Sequence, residues 1–81
     1  MKEEIEEIRS LMRSATGEKE KDECQKALIL LQEAYTLRLL PGAVRSRRDK
    51  IQNIDPITEW GREAKLISSI AMGEIGNAFA A

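Results

Sequence analysis

The chain is written almost entirely in helix-forming residues, and three short interruptions, Thr16-Gly17, Leu40-Pro41-Gly42 and Asp55-Pro56, decide how many helices it makes. No stretch between them alternates apolar with β-branched or aromatic residues as a half-buried strand does, so the fold class is all-α. Gly17 costs a continuous helix about 1 kcal/mol relative to alanine, and Thr16 is suited to cap the next helix. Pro41 disfavours helical geometry at Leu40 and Gly42 loosens the turn, so a helix ends there. Asp55 reads as an N-cap and Pro56 as a first helical residue, where a missing N–H loses nothing.

This punctuation predicts one domain over residues 1–81, a bundle of about three helices spanning roughly 3–14, 18–39 and 56–79, with an antiparallel helical pair. Ile5, Ile8, Met12 and Ala15 share one face of the first helix, with Leu11 beside them. Cys24, Ala27, Leu28, Leu31, Ala34 and Tyr35 form a stripe on the second, but Ile29, Leu30, Leu37, Leu39 and Leu40 fall outside it. On the third, Ile57, Trp60, Ala64, Ile67, Ala71, Ile75 and Ala78 face one way, while Gly61, Ser68, Ser69, Gly73, Gly76 and Ala80 let another backbone come close. The connecting segment 41–55 is either a short helix with Val44, Ile51 and Ile54 on one side or an ordered loop.

Length sharpens the expectation, because 81 residues bury only roughly 60–65% of their unfolded surface and leave a lone core marginal. The apolar surplus of the second helix and the small residues of the third therefore point to a homo-oligomer, with Leu28, Leu31, Tyr35, Leu37, Gly73, Gly76 and Phe79 at its interface.

Chemistry is restricted by what is missing. The chain has no histidine, which removes the usual general base near neutral pH, and its single Cys24 makes neither an internal disulfide nor a thiolate metal site. No phosphate loop, nucleophile elbow or Glu-x-x-His pair occurs, so the reading is binding without catalytic residues, metal or cofactor. Lys2-Glu3-Glu4 is unlike a secretory signal, and the apolar stretch 66–81 is short and carries Glu74, so a cytoplasmic protein with no membrane partner is expected.

Charge is nearly balanced at −1, with 7 basic and 9 acidic residues in 1–40 and 6 and 5 in 41–81. That balance gives no general field for nucleic acid. Local basic density is another matter: Arg45, Arg47, Arg48 and Lys50 are broken only by Ser46 and Asp49, and guanidiniums hold phosphate or carboxylate through paired hydrogen bonds. Trp60 reads either as a core anchor beneath the connecting segment or as an interface or stacking surface, and Arg62 at helical spacing from it extends the set as a further cation. The cluster reads either as a solvated face answering the acidic first half or as a site, for which a nucleotide or an acidic protein is the expected partner; a nucleic-acid-binding regulator using 45–50 is the alternative, with few aromatics for base stacking.

Two resemblances rest on particular residues. Ile5-Glu6-Glu7-Ile8-Arg9 and Met12, with Gln32-Glu33 further on, resemble the helical hairpin of the small aspartyl-phosphate phosphatases of the sporulation phosphorelay, whose Ser-Gln-Glu-Leu-Asp signature here reads Leu31-Gln32-Glu33-Ala34-Tyr35. The signature's Ser and Asp are absent, and no phosphatase activity is carried over. The closing run Glu74-Ile75-Gly76-Asn77-Ala78-Phe79-Ala80 is similar to the last helix of small phage proteins that sequester the cyclic-nucleotide signals of CBASS and Thoeris defence. That resemblance covers about a quarter of the chain and implies a hexameric, non-enzymatic sponge.

Overall fold

In a computed structural model, which describes the backbone of residues 2–80 and the side chains of residues 3–76, the chain forms four α-helices: α1 (Lys2–Ser14), α2 (Glu18–Thr36), α3 (Pro41–Gln52) and α4 (Glu59–Ala80). The bundle therefore has four helices where the punctuation predicts about three, because the connecting segment is helical. Leu40-Pro41-Gly42 both ends one helix and begins another. α2 stops at Thr36, short of the expected Leu39, and Pro41 opens α3 at its first position, where its fixed φ and missing N–H suit a helix start.

Successive helices run up and down. α2 and α4 thus start at the same end and form the central pair, while α1 and α3 flank them on opposite sides without touching each other. The result is flat, 40 × 23 × 16 Å.

The central pair meets along two seams in which the spacing alternates between three and four residues. Cys24, Ala27, Leu31 and Ala34 of α2 face Gly61, Ala64, Ser68, Ala71 and Ile75 of α4, and all nine are buried. This is the repeat of helices packed at a shallow crossing angle. Most of these side chains are small, which lets the two backbones approach closely. The small-residue character of the last helix is therefore used within the chain: Leu28 and Leu31, expected at an interface with another copy, also lie in its own core. Ile8 from α1, Val44 and Ile51 from α3, and Met72 from α4 complete that core.

The start of α4 departs from the sequence expectation. Asp55-Pro56 does not begin the helix; residues 54–57 form an irregular linker and the cap is Thr58. The Thr58 carbonyl accepts the Arg62 N–H at 3.1 Å, and its hydroxyl accepts the Gly61 N–H at 3.1 Å, as an N-cap side chain does. Ile57, placed on the inner face by periodicity, precedes the helix and is exposed. At α2, Gly17 rather than Thr16 holds the N-cap position, with no side-chain bond.

What displaces the helix start is Glu23, one turn into α2. Its carboxylate accepts the N–H of Ile57 at 2.7 Å and of Thr58 at 2.8 Å, and also the Thr58 hydroxyl. In a common capping box this carboxylate belongs to the third residue of the same helix. Here that residue is Gly61, and a Cβ on it would lie 2.7–2.9 Å from the Glu23 side chain. A neighbouring helix therefore supplies the acid, and glycine leaves room for it. Burial pushes the Glu23 carboxyl up, but the bonds from Thr58 and Ile57 and the nearby Lys19 outweigh burial and hold it below the ordinary glutamate value. Among the described residues no helix is long and apolar enough to cross a membrane.

Candidate anion-binding groove between α3 and α4

The register of α3 divides the basic cluster. With Val44 and Ile51 turned into the core, Arg45 and Arg48 fall on the flank toward α4 and Arg47 on the flank toward α2. Arg47 is engaged: its Nη2 lies 3.6 Å from Glu33 Oε2 and its Nη1 donates to the Ala43 carbonyl at 3.4 Å. Lys50 sits on the outer side near Asp49, Ser46 and Asn53.

Arg45 and Arg48 border a groove of about 150 Å³ whose other walls are Pro41, Val44, Met72 and Gly76. Among the described residues neither guanidinium has a hydrogen-bond or ion-pair partner. Among the described residues nothing lies within 4 Å of where a Gly76 Cβ would be. Two cations three residues apart at the rim of one groove can take a carboxylate or phosphate through charge-assisted bonds.

Trp60 and Arg62 do not join this site. They precede Met72 on α4 by 12 and 10 residues, about 18 and 15 Å along the helix at about 1.5 Å per residue. The Trp60 indole N–H donates to Ser14 Oγ at 3.3 Å, and its ring borders a shallow depression with Leu11, Glu59 and Glu63, whose carboxylates repel an anion. Arg62 is exposed. The six expected ligand-binding residues thus separate into an Arg45–Arg48 pair, a structural Arg47, an outer Lys50 and the distant Trp60 and Arg62.

The residues expected at an interface also disperse. Tyr35 packs half-buried on the core, and Leu37 borders a depression with Ile29, Gln32, Glu33 and Thr36. Gly73 is exposed and Gly76 lines the groove; the Phe79 side chain lies outside the described residues. Met72, Val44 and Pro41 carry no binding signal in the sequence, and only the antiparallel docking of α3 on α4 brings them together.

Cys24 is buried and its thiol donates to the Trp60 carbonyl at 3.5 Å; burial, then the Glu23 charge, pushes the thiol up. A thiol in that state is a poor nucleophile. Among the described residues no group of three or more His, Cys, Asp or Glu side chains is placed to hold a metal ion. α1 and α2 do form a helical hairpin, but Glu33, at the signature Glu position, pairs with Arg47. The chain matches no protein-family profile, no characterised protein and no solved structure.

Proposed function

We propose that the protein works by holding an anionic partner at the groove between α3 and α4, without covalent chemistry. The observation that carries this reading is the contrast within one helix: Arg47 is paired with Glu33, whereas Arg45 and Arg48 stand without partners among the described residues at the rim of one groove. Sequestering a nucleotide signal, as the resemblance to phage sponge proteins implies, is one form of such binding. A nucleic-acid regulator is less well supported, because Asp49 interrupts the basic stretch and only Lys50 adds to the two arginines on the open side.

Calorimetric titration of the chain with inorganic pyrophosphate at low ionic strength tests the reading. Binding abolished by Arg45→Glu plus Arg48→Glu and retained by Arg62→Glu is the expected result. Equal binding by all three proteins contradicts it.

A second reading, association with another copy, is favoured by Leu66 and Ile70, 56% and 54% exposed one turn apart on the outer face of α4 beside Gly73. Two such side chains fall well short of the roughly 800 Å² per partner of a stable interface, so association through them alone is weak and concentration-dependent. Sedimentation velocity that shows self-association weakened by Leu66→Lys supports it; a monomer at every concentration contradicts it.

A further inference from the structure

We infer that the turn between α2 and α3 docks the chain on an anionic bilayer surface, where Leu39 and Leu40 enter the lipid interface and Arg38, Arg45 and Arg48 meet lipid phosphates. The inference rests on the anion-binding reading of Arg45 and Arg48 and names the source of the phosphate. Leu39 and Leu40, adjacent at one end of the bundle, are 82% and 57% exposed. Backbone bonds hold them there: the Leu40 N–H donates to the Leu37 carbonyl at 2.8 Å, and the Leu40 carbonyl accepts the N–H groups of Ala43 and Val44 at 3.0 and 3.1 Å. An ordered turn thus presents two large apolar side chains to solvent.

Charge around this turn has one sign. Residues 34–48 include four arginines and no acid. Arg47 pairs with Glu33, while Arg38, Arg45 and Arg48 are exposed, and Arg38 uses only Nη1, on the Tyr35 carbonyl at 3.2 Å. The acidic start of α1 stands back from the leucines, because Ile5 lies beside Gln32, four residues before the end of α2, and α1 flanks the central pair on the side away from α3. Heights agree with a bilayer. Arg45 and Arg48 follow Pro41 by four and seven residues, about 6 and 10 Å along α3, and the headgroup layer of one leaflet is about 5–7 Å thick. With the leucines at the acyl boundary, the long arginine side chains reach the phosphates.

A bilayer suits this surface better than a protein partner does. Two leucines on a convex turn fall far short of the roughly 800 Å² per partner of a stable protein interface, whereas lipid surrounds an inserted tip on every side. Apolar insertion and basic charge are the two contributions that reversible surface docking combines. The expectation of no membrane partner rests on the lack of a spanning segment in the sequence, and docking of this kind needs none.

The test is co-sedimentation of the full chain, at low ionic strength, with phosphatidylcholine vesicles that contain about one-third phosphatidylserine or none, beside calorimetric titration with pyrophosphate. Binding to the anionic vesicles alone is expected. Leu39→Ser plus Leu40→Ser should weaken it at least about tenfold, the loss from withdrawing about one leucine's worth of apolar surface, and leave pyrophosphate affinity and the thermal melt unchanged. Serine also suits the place of Leu40 as N-cap of α3. Arg45→Ala plus Arg48→Ala should weaken vesicle binding about thirtyfold, from about 1 kcal/mol per arginine, and abolish pyrophosphate binding. Pyrophosphate binding without vesicle binding overturns the inference and leaves the anion reading standing; binding of neither overturns both. Vesicle binding that survives the leucine changes, or that is equal without phosphatidylserine, overturns the inference.

Discussion

The two ends of α4 are built in opposite ways. At its N-terminal end a connected set of polar groups is engaged, although the side chains of Asp55, Glu59, Arg62 and Glu63 are not engaged among the described residues: Glu23 caps Ile57 and Thr58, Thr58 caps Gly61, Trp60 bonds to Ser14 on α1, and the Lys65 ammonium donates to the Ile54 carbonyl at 2.7 Å. Four separate chain segments meet there through hydrogen bonds of defined direction. Toward the other end, no described atom lies within 4 Å of a Cβ placed on Gly73 or Gly76, Leu39 is 82% exposed in the turn after α2, and Arg45 and Arg48 lack partners among the described residues. The first end defines the fold. At the second, the core takes Val44, Met72 and Ile75 but leaves the Arg45 and Arg48 side chains exposed and without partners among the described residues.

Substitutions can break this contrast, beginning with the largest effect. Glu23→Ala removes the acceptor of two amides and a hydroxyl; with the usual value for charged hydrogen bonds reduced for partial exposure, the loss is about 2 kcal/mol, read as a lower midpoint in urea denaturation.

The same glycine-to-alanine change should act in opposite directions along one helix. Gly61→Ala drives a Cβ into Glu23 and destabilises by about 1 kcal/mol even after alanine's helix advantage. Gly73→Ala and Gly76→Ala meet open space and stabilise by up to about 1 kcal/mol each. Equal signs at the three positions in urea denaturation would remove the contrast.

Acid titration set against Glu23→Gln isolates the tied end from Glu4, whose carboxyl also lies below the ordinary glutamate value. The Glu23 carboxyl lies below its ordinary value of 4.5, so its contribution is fully present above that pH and fades as the pH falls through the lowered value. Thermal melts of the unaltered chain should therefore fall more steeply with acid below about pH 5 than those of Glu23→Gln. Parallel curves would show that the charge of Glu23 is not what caps α4.

The smallest effect belongs to the open end. Arg45→Ala plus Arg48→Ala should shift stability by less than about 0.5 kcal/mol, as expected of exposed side chains without partners. Arg47→Ala, which loses the pairing with Glu33, should cost slightly more in the same denaturation measurement.

The legible parts of this fold are those with local periodicity. The core face of α2 is readable from the spacing of Cys24 through Tyr35, because a helical stripe repeats within a few turns. Turn chemistry is less decisive. Asp55-Pro56 has every local mark of a helix start, yet Glu23, more than thirty residues earlier, draws the amides of Ile57 and Thr58 outward and moves the start to Glu59. Nothing local distinguishes Glu23 from the charged run that precedes it; the available sign is Gly61, standing where a capping-box acid would follow Thr58. The site is half readable for the same reason. Arginine density at 45–48 is visible in the sequence, but which guanidinium faces Glu33 and which face Met72 depends on α3 lying antiparallel to both α2 and α4.

The central claim is that binding belongs to Arg45 and Arg48, the α3 guanidiniums that folding leaves without partners among the described residues. The most direct test is a map of backbone amide shifts as inorganic phosphate is titrated into the isotopically labelled chain at low ionic strength. Shifts confined to residues 42–48 and 72–76, with 57–61 unmoved, are predicted. Shifts centred on 57–61, or spread evenly over all four helices, would contradict it.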